Sequence, residues 1–124
     1  MSTRDDICNL LAEYNHAVDD GRVEDVLATF TPDASIDFPV GRYRGPAELR
    51  GAYESWVPVA PQRHIVSNTH ITASTATTAH AASDFMFMVK GEAGWVVLVV
   101  GRYDDEFVHG GDRWRFSRRS SVFL

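Results

Sequence analysis

The sequence predicts an α+β protein in which helices fill the first half of the chain and antiparallel strands the second. Apolar residues recur at helical spacing from residue 7 to residue 30. After Arg63, long runs of strand-forming residues are separated by short links rich in turn residues, as in hairpins. A strongly curved sheet wrapped around three N-terminal helices should enclose a conical cavity, which is a usual place for a small ligand.

Three helices are expected before residue 57. The first ends at Gly21, and a shorter second helix covers 23–30 and stops before Pro32. Pro46 suits the first turn of a third helix, which continues to Trp56. The apolar stripe of the first helix consists of Ile7, Leu10, Leu11, Tyr14 and Val18.

Proline positions and the alternation of apolar residues predict the strands. A short strand is predicted at 34–38, because Pro39 forbids a long central one, and a hairpin arm at 40–46. The run 95–100 is apolar without alternation, which indicates cover on both faces. The helices can cover only one face, so the other is a candidate subunit interface. Four longer strands are predicted at about 63–73, 76–90, 94–109 and 113–123.

Composition narrows the class of protein. The 124 residues are 44% apolar and carry a net charge of −5, which favours one soluble domain over 1–124 and argues against nucleic-acid or membrane partners. Cys8 is the only cysteine, so an internal disulfide is impossible. The N-terminus lacks the apolar segment of a signal peptide, and we therefore expect a cytoplasmic protein.

Several polar residues lie on apolar faces of the predicted elements. Tyr14 lies on the stripe of the first helix, and Asp19 follows Val18 at its end. Strand alternation puts His64 on one face with Val66, Asn68 and His70. It likewise groups Asp84 with His80, Met86 and Met88. A carboxylate among methionines is costly unless it is paired or functional, although an exposed edge position for Asp84 and a loop position for Asp19 remain alternatives.

Metal and nucleotide sites are not predicted. None of the five histidines shows HExxH spacing, although His64, His70 and His80 could meet across neighbouring strands. No glycine-rich phosphate loop, nucleophile elbow or dinucleotide fingerprint is present. We therefore expect neither a metal nor a cofactor.

The order and spacing of four segments resemble the nuclear transport factor 2-like superfamily, in its polyketide-cyclase (SnoaL-like) branch. The resemblance covers essentially the whole chain and implies a cone-shaped α+β barrel. The segments are "EYNHAVDDGRVEDVLATFTPDASIDFP", "GRYRGPAEL", "RHIVSN" and "GRYDDEFVHGGDRWRFSRR".

Two enzyme groups within this superfamily suggest roles for particular residues. Ketosteroid isomerases place a tyrosine where Tyr14 stands, but Phe38 replaces their catalytic aspartate. Scytalone dehydratase, bile-acid dehydratase and hexachlorocyclohexane dehydrochlorinase pair a strand histidine with a helix aspartate, which His64 and Asp19 match. The bile-acid enzyme also has a strand acid where Asp84 stands, and the dehydrochlorinase has the equivalent of Asn68.

The resemblance implies proton abstraction by His64, held by Asp19, with Tyr14 and Asp84 assisting and no cofactor. The substrate would be a small hydrophobic, cyclic molecule that undergoes elimination or isomerisation. Polyketide cyclisation, ketosteroid-isomerase-like chemistry and non-catalytic ligand binding remain alternatives, and a homodimer or homotrimer is expected. The predicted substrate-binding residues are Phe38, Trp56, Asn68, His80, Phe85, Met86 and Met88.

Overall fold

The computed structural model describes residues 2–124 as three helices and six strands. The helices are α1 (Thr3–Asp20), α2 (Val23–Leu27) and α3 (Gly45–Ser55). The strands are β1 (Phe30–Phe38), β2 (Gly41–Arg44), β3 (Gln62–Ser74), β4 (Thr78–Gly91), β5 (Gly94–His109) and β6 (Trp114–Phe123).

The strands form one curved, mostly antiparallel sheet in the order β2-β1-β6-β5-β4-β3. Only β1 and β6 run parallel to each other, so the last strand joins the short β1–β2 hairpin to the long meander. Bulges in β3, β5 and β6 add the local twist that curves the long strands. The prediction of a curved α+β sheet around N-terminal helices is confirmed.

Local signals explain where α1 begins and ends. The Ser2 hydroxyl accepts a hydrogen bond from the Asp5 amide at 3.1 Å, which satisfies one of the free amides of the first turn. Gly21 ends the helix in the left-handed conformation, with φ of 73°, which a side chain would disfavour. These caps fix the end of α1, where Asp19 lies.

The segment after α2 differs from the prediction. The helix ends at Leu27 rather than near residue 30, and β1 begins at Phe30 rather than at residue 34. The Thr29 hydroxyl donates to the carbonyl of Val26 at 2.6 Å, and the Thr29 carbonyl accepts from the Phe116 amide at 2.8 Å. The second contact attaches the chain to β6, so β1 starts early.

The helices cover the inner face of the sheet and leave the outer face exposed. Alternate residues of β4 from Ala79 to Phe85 are buried on the inner face, whereas the intervening residues face outward. The outer face carries a patch of exposed apolar side chains, described below. No helix within residues 2–124 is both long and apolar enough to cross a membrane.

Candidate functional site

A cavity of about 320 Å³ lies between the helices and the inner face of the sheet. Its walls are mainly aromatic and aliphatic, with few polar groups. Such a surface favours a small apolar ligand over a strongly charged one. The lining residues are Tyr14, Val18, Phe38, Pro39, Val40, Tyr53, Trp56, Gln62, His64, Phe85, Phe87, Val99, Tyr103, Ser121 and Phe123.

His64 contributes the imidazole of this cavity, and Asp19 holds it. The Asp19 carboxylate lies 2.7 Å from Nδ1 of His64 and accepts the His64 amide at 2.8 Å. The Gln62 side-chain amide donates to the same carboxylate at 3.1 Å. These three contacts compensate for the unfavourable position of a carboxylate at the C-terminal end of a helix.

The contact with Asp19 fixes which ring nitrogen of His64 is free. An ionised carboxylate only accepts hydrogen bonds, so a neutral imidazole facing it must carry its hydrogen on Nδ1. Nε2 then keeps its lone pair. The ring also packs on Phe87, with the ring centroids 4.7 Å apart. The imidazole is therefore held in one orientation with one basic nitrogen.

Two buried tyrosines supply hydroxyl groups to the same cavity. The Tyr14 and Tyr53 oxygens are 2.6 Å apart, and only one hydrogen can lie between them. The other hydrogen is available to a ligand. Burial raises the pKa of Tyr14, while the nearby Arg119 guanidinium opposes that rise. Both phenols are therefore neutral donors at physiological pH.

A buried ion pair lies directly behind these tyrosines. Arg119 donates to Asp105 at 2.9 Å, and both side chains are fully buried. The guanidinium lies over the Tyr103 ring at 3.6 Å and the Tyr14 ring at 4.4 Å. Burial raises the pKa of Asp105 to about 6, against the opposing effect of Arg119.

This pair places a cation beneath the aromatic wall of the cavity. Nη1 and Nη2 of Arg119 have no hydrogen-bond partner within residues 2–124, so the charge is only partly compensated. Sequence reasoning missed Arg119, because arginine side chains are usually exposed. It also missed Tyr53 and Tyr103 as cavity residues, although Tyr53 lies on the apolar face of the predicted third helix.

The structure brings six of the predicted site residues together. His64 and Tyr14 line the cavity, and Asp19 contacts His64 from behind. The predicted lining residues Phe38, Trp56 and Phe85 also face the cavity. Phe38 packs on Trp56 and Tyr103, which closes one side of the wall.

Five other predicted site residues lie on the outer face of the sheet, away from the cavity. Asp84 accepts hydrogen bonds from Arg102 at 2.8 Å and from Asn68 at 2.9 Å. The Arg102 contact, reinforced by Asn68, lowers the pKa of Asp84. His80 bonds Asp104 and Thr72, and Met86 and Met88 stand on the same face. The prediction that these side chains reach the cavity is wrong.

Two physical features explain the misplacement. In β4 both faces carry apolar residues, so alternation groups Asp84 with the methionines correctly but does not reveal which set faces inward. In β3 the register shifts between Ser67 and His70, and Asn68 has a φ of 55°. This bulge turns Asn68 to the face opposite to His64.

Within residues 2–124, no group of three or more histidine, cysteine, aspartate or glutamate side chains is arranged to hold a metal ion. Besides the Gln62 amide and the Ser121 hydroxyl, the cavity offers one imidazole, one carboxylate behind it and the tyrosine hydroxyls. This set can accept a proton at Nε2 of His64 and donate hydrogen bonds to a ligand oxygen from the tyrosines.

Residues 1–120 match the family model of the SnoaL-like domain. An uncharacterized protein of Mycobacterium tuberculosis, Rv2910c, is 33% identical over 130 residues, which cover 96% of this chain and 84% of that protein. The match therefore extends over nearly the whole of both sequences.

Solved structures share the fold. A protein from Novosphingobium aromaticivorans, proposed to be an aromatic ring hydroxylase, is 27% identical with a TM-score of 0.86, and the match covers 100% of this chain and 92% of that chain. Another from the same organism, proposed to be a scytalone dehydratase, is 21% identical with a TM-score of 0.86 over 98% of this chain and 83% of that one. At 21% identity, the match to the second protein shows a shared fold only.

Proposed function

Since this chain belongs to the SnoaL-like domain family, we propose that it is a cofactor-independent lyase or isomerase that abstracts a proton from a small, hydrophobic, cyclic substrate. His64 is the general base, and Asp19 orients it. The family and fold agree with a dehydratase- or isomerase-type role. The residues of the cavity supply the more specific argument.

The contact between His64 and Asp19 carries this proposal. The carboxylate accepts both the side chain and the backbone amide of the same residue, at 2.7 and 2.8 Å. Held in this way, Nε2 is basic while Nδ1 is stabilised in the imidazolium that forms after proton transfer.

The proposed reaction begins at a carbon next to a carbonyl or similar activating group. Nε2 of His64 takes the proton, and the C–H electron pair moves into an enolate. Tyr14 or Tyr53 donates a hydrogen bond to the enolate oxygen, and Arg119 behind Tyr14 favours that negative charge. The enolate then expels a hydroxyl group from the neighbouring carbon, which leaves as water with the proton from His64.

The shape of the cavity supports a cyclic substrate. Its volume of about 320 Å³ suits a molecule of one or two rings. Phe38, Trp56 and Phe85 offer flat surfaces to such rings. Apolar walls also exclude water once the ligand is bound, which strengthens the electrostatic contacts around the reacting atoms.

A ligand screen followed by a paired mutation tests the proposal. Cyclic ketones, alcohols and phenols are screened by thermal shift, and compounds that bind are assayed for loss of water or isomerisation by mass spectrometry and NMR. We expect His64→Ala to abolish turnover of a compound that the native protein converts, while it still binds that compound. Turnover that survives in His64→Ala would overturn the role of His64.

His80→Ala is the matched control. His80 also contacts an aspartate, but it lies on the outer face, so its loss should leave turnover unchanged. The alternative function is binding without chemistry. In that case ligands raise the melting temperature of the native protein, but none is converted by either the native protein or the variants.

We also propose that the outer face of the sheet packs against a second copy of this chain. An exposed apolar patch on this face is bordered by Arg63 and Lys90 at one end and, beyond the paired Arg102 and Asp84, by Asp104 and Glu106 at the other. A two-fold rotation would bring the basic end of one copy over the acidic end of the other. The patch consists of Ile65, Met86, Val97, Val100 and Val122, which are 38–56% exposed.

Light scattering tests this association. The native protein should have at least twice the mass of one chain, and Val100→Lys should reduce it to one chain. Val59→Lys is the control, because Val59 is fully exposed in the loop before β3 and lies outside the patch. A native protein that is monomeric at micromolar concentration would contradict the association.

A further inference from the structure

Gln62 brings a polar group to the cavity wall to which the proposed reaction gives no part. It is the first residue of β3 and is only 9% exposed. Its side chain lines the same cavity as that of His64, because residues two apart in a strand project from the same face. Both side chains contact the same oxygen of Asp19, at 3.1 Å from Gln62 and 2.7 Å from His64. The amide and the imidazole therefore lie within reach of one small ligand.

The contact with Asp19 fixes the orientation of the Gln62 amide. An ionised carboxylate has no hydrogen to donate, so the NH₂ group of Gln62 faces Asp19 and the carbonyl oxygen Oε1 faces away from it. Oε1 has no hydrogen-bond partner within residues 2–124, and it is not sealed off by surrounding atoms as Oδ1 of Asn15 is. Gln62 therefore presents a free acceptor to the cavity.

Asp19 also strengthens this acceptor. A hydrogen bond donated to a carboxylate polarises the amide and moves electron density onto its carbonyl oxygen. The wall around Gln62 is mainly apolar, so Oε1 stays unpaired when a ligand displaces water without donating a hydrogen bond. A site of this kind rejects an analogue that lacks the donor more strongly than an apolar pocket does.

We propose that Oε1 of Gln62 selects cyclic ligands that carry a hydroxyl group beside the carbon from which His64 takes the proton. In the proposed reaction this hydroxyl is the leaving group. The enolate expels it, the proton on Nε2 of His64 joins it, and the water that results keeps its hydrogen bond to Oε1. A halide in the same place has no hydrogen to donate and faces the lone pairs of Oε1. The catalytic part of this inference rests on the proposed function, whereas selection in binding does not.

Three probes with one ring skeleton measure the selection without any turnover. 2-Naphthol can donate a hydrogen bond to Oε1, whereas 2-fluoronaphthalene and the larger 2-methoxynaphthalene cannot. NMR titration gives the Kd of each. The native protein should bind 2-naphthol at least about fivefold more tightly than either analogue, because a buried acceptor is left unpaired in both of their complexes.

Gln62→Met keeps the length of the side chain and removes its acceptor. In this variant the three probes should bind within about twofold of one another. Ser121→Ala removes the hydroxyl of another cavity residue and should keep the preference for 2-naphthol. A preference that survives in Gln62→Met would assign the ligand hydroxyl to another acceptor, such as Nε2 of His64, and would overturn the inference.

The native protein also offers a direct readout, because Gln62 is the only glutamine in the chain. Selective labelling of glutamine with ¹³C and ¹⁵N therefore gives a single side-chain amide in the NMR spectrum. 2-Naphthol should move the signal of the Gln62 carbonyl carbon downfield, since the carbon is deshielded when its oxygen accepts a hydrogen bond. 2-Methoxynaphthalene should not. This readout holds even if Gln62→Met fails to fold.

Equal binding of the three probes by the native protein would overturn the selection, as would a carbonyl signal that responds alike to 2-naphthol and 2-methoxynaphthalene. If none of the probes binds, the inference fails together with the ligand site. A hydroxyl preference that depends on Gln62, in a protein that converts none of the compounds screened, would confirm the selection and refute only the proposed enzyme.

Discussion

Two histidine–aspartate pairs of nearly equal length occupy opposite faces of the sheet. His64 lies 2.7 Å from Asp19 on the inner face, and His80 lies 2.6 Å from Asp104 on the outer face. The side chains of the inner pair are 16% and 3% exposed, whereas those of the outer pair are 36% and 54% exposed. Contact distance alone therefore does not distinguish a candidate catalytic pair from a surface pair.

The surroundings make the difference. Asp19 has two further donors besides the imidazole, and one nitrogen of His64 remains free beside an apolar cavity. Both ring nitrogens of His80 are engaged, one by Asp104 and one by the Thr72 hydroxyl. Water also screens the outer pair. A histidine can act as a base only where one of its nitrogens is left for the ligand.

The sharpest test of this contrast is the same substitution on each face. Asp19→Asn should lower kcat/KM by a factor of about 10²–10⁴, because the amide can donate to Nδ1 and stabilise the wrong tautomer of His64. Asp104→Asn should leave kcat/KM within about twofold, since Asp104 lies on the outer face, away from the cavity. Steady-state kinetics on a substrate identified by the screen measure both. Equal losses of kcat/KM in the two variants would contradict the assignment of a catalytic role to the inner pair alone.

A second pair of substitutions compares the inner and outer faces by their effect on stability. Arg119→Met should lower the free energy of unfolding by about 3–5 kcal/mol, because Asp105 is left as an unpaired buried carboxylate. Arg102→Met removes an arginine at nearly the same distance from an aspartate, Asp84, but on the outer face. Arg102→Met should lower the free energy of unfolding by much less. Urea denaturation measures both, and a larger loss in Arg102→Met would contradict the role assigned to burial.

A smaller effect is expected at the tyrosine pair. Tyr14→Phe should lower kcat about tenfold, because Tyr53 remains able to donate to the ligand oxygen. Tyr43→Phe is the control, since Tyr43 packs on Trp56 from outside the cavity. Kinetics at saturating substrate separate kcat from binding. An unchanged kcat in Tyr14→Phe would exclude this hydroxyl as the donor.

The smallest effect concerns the outer carboxylate. The contacts from Arg102 and Asn68 lower the pKa of Asp84 below its ordinary value of 3.8. The stabilisation from the ionised form is therefore present above that value and is lost as the pH falls through the lower pKa of the folded state. Thermal melts should show Asp84→Asn slightly less stable than the native protein at neutral pH and equal to it in acid.

Glu92→Gln, in the turn between β4 and β5, serves as the control for a change of net charge. The melting temperature of Glu92→Gln should equal that of the native protein at every pH. A deficit of Asp84→Asn that grows as the pH falls would contradict the direction of the pKa shift.

The sequence was sufficient to predict the fold because helical periodicity dominates before Arg63, interrupted only by the short β1–β2 hairpin, and strand signals dominate after it. The residue pattern also marked His64 and Asp19 as unusual polar residues on apolar faces, but only the resemblance to the dehydratases paired them. The faces of β4 were not predictable in the same way. Phe85 and Phe87 alternate with Met86 and Met88, so both faces read as apolar, and only the helices packed on the sheet decide between them.

Two further features lay beyond any local pattern. The bulge at Asn68 depends on pairing with β4, and a one-residue slip reverses every later side chain. The burial of Arg119 depends on Asp105, 14 residues earlier on the neighbouring strand, and on the rings of Tyr14 and Tyr103. Such partners become visible only when the strands are paired.

The position of β6 also determines the order in which the molecule can assemble. β6 is the last strand in the chain but lies in the middle of the sheet, between β1 and β5. During synthesis the meander β3–β5 can pair as it emerges. The β1–β2 hairpin can join the sheet only after residues 114–123, which form β6, have been made. Until then the inner face stays open to solvent and to other chains. The slowest and most aggregation-prone moment of folding should therefore be the insertion of this last strand.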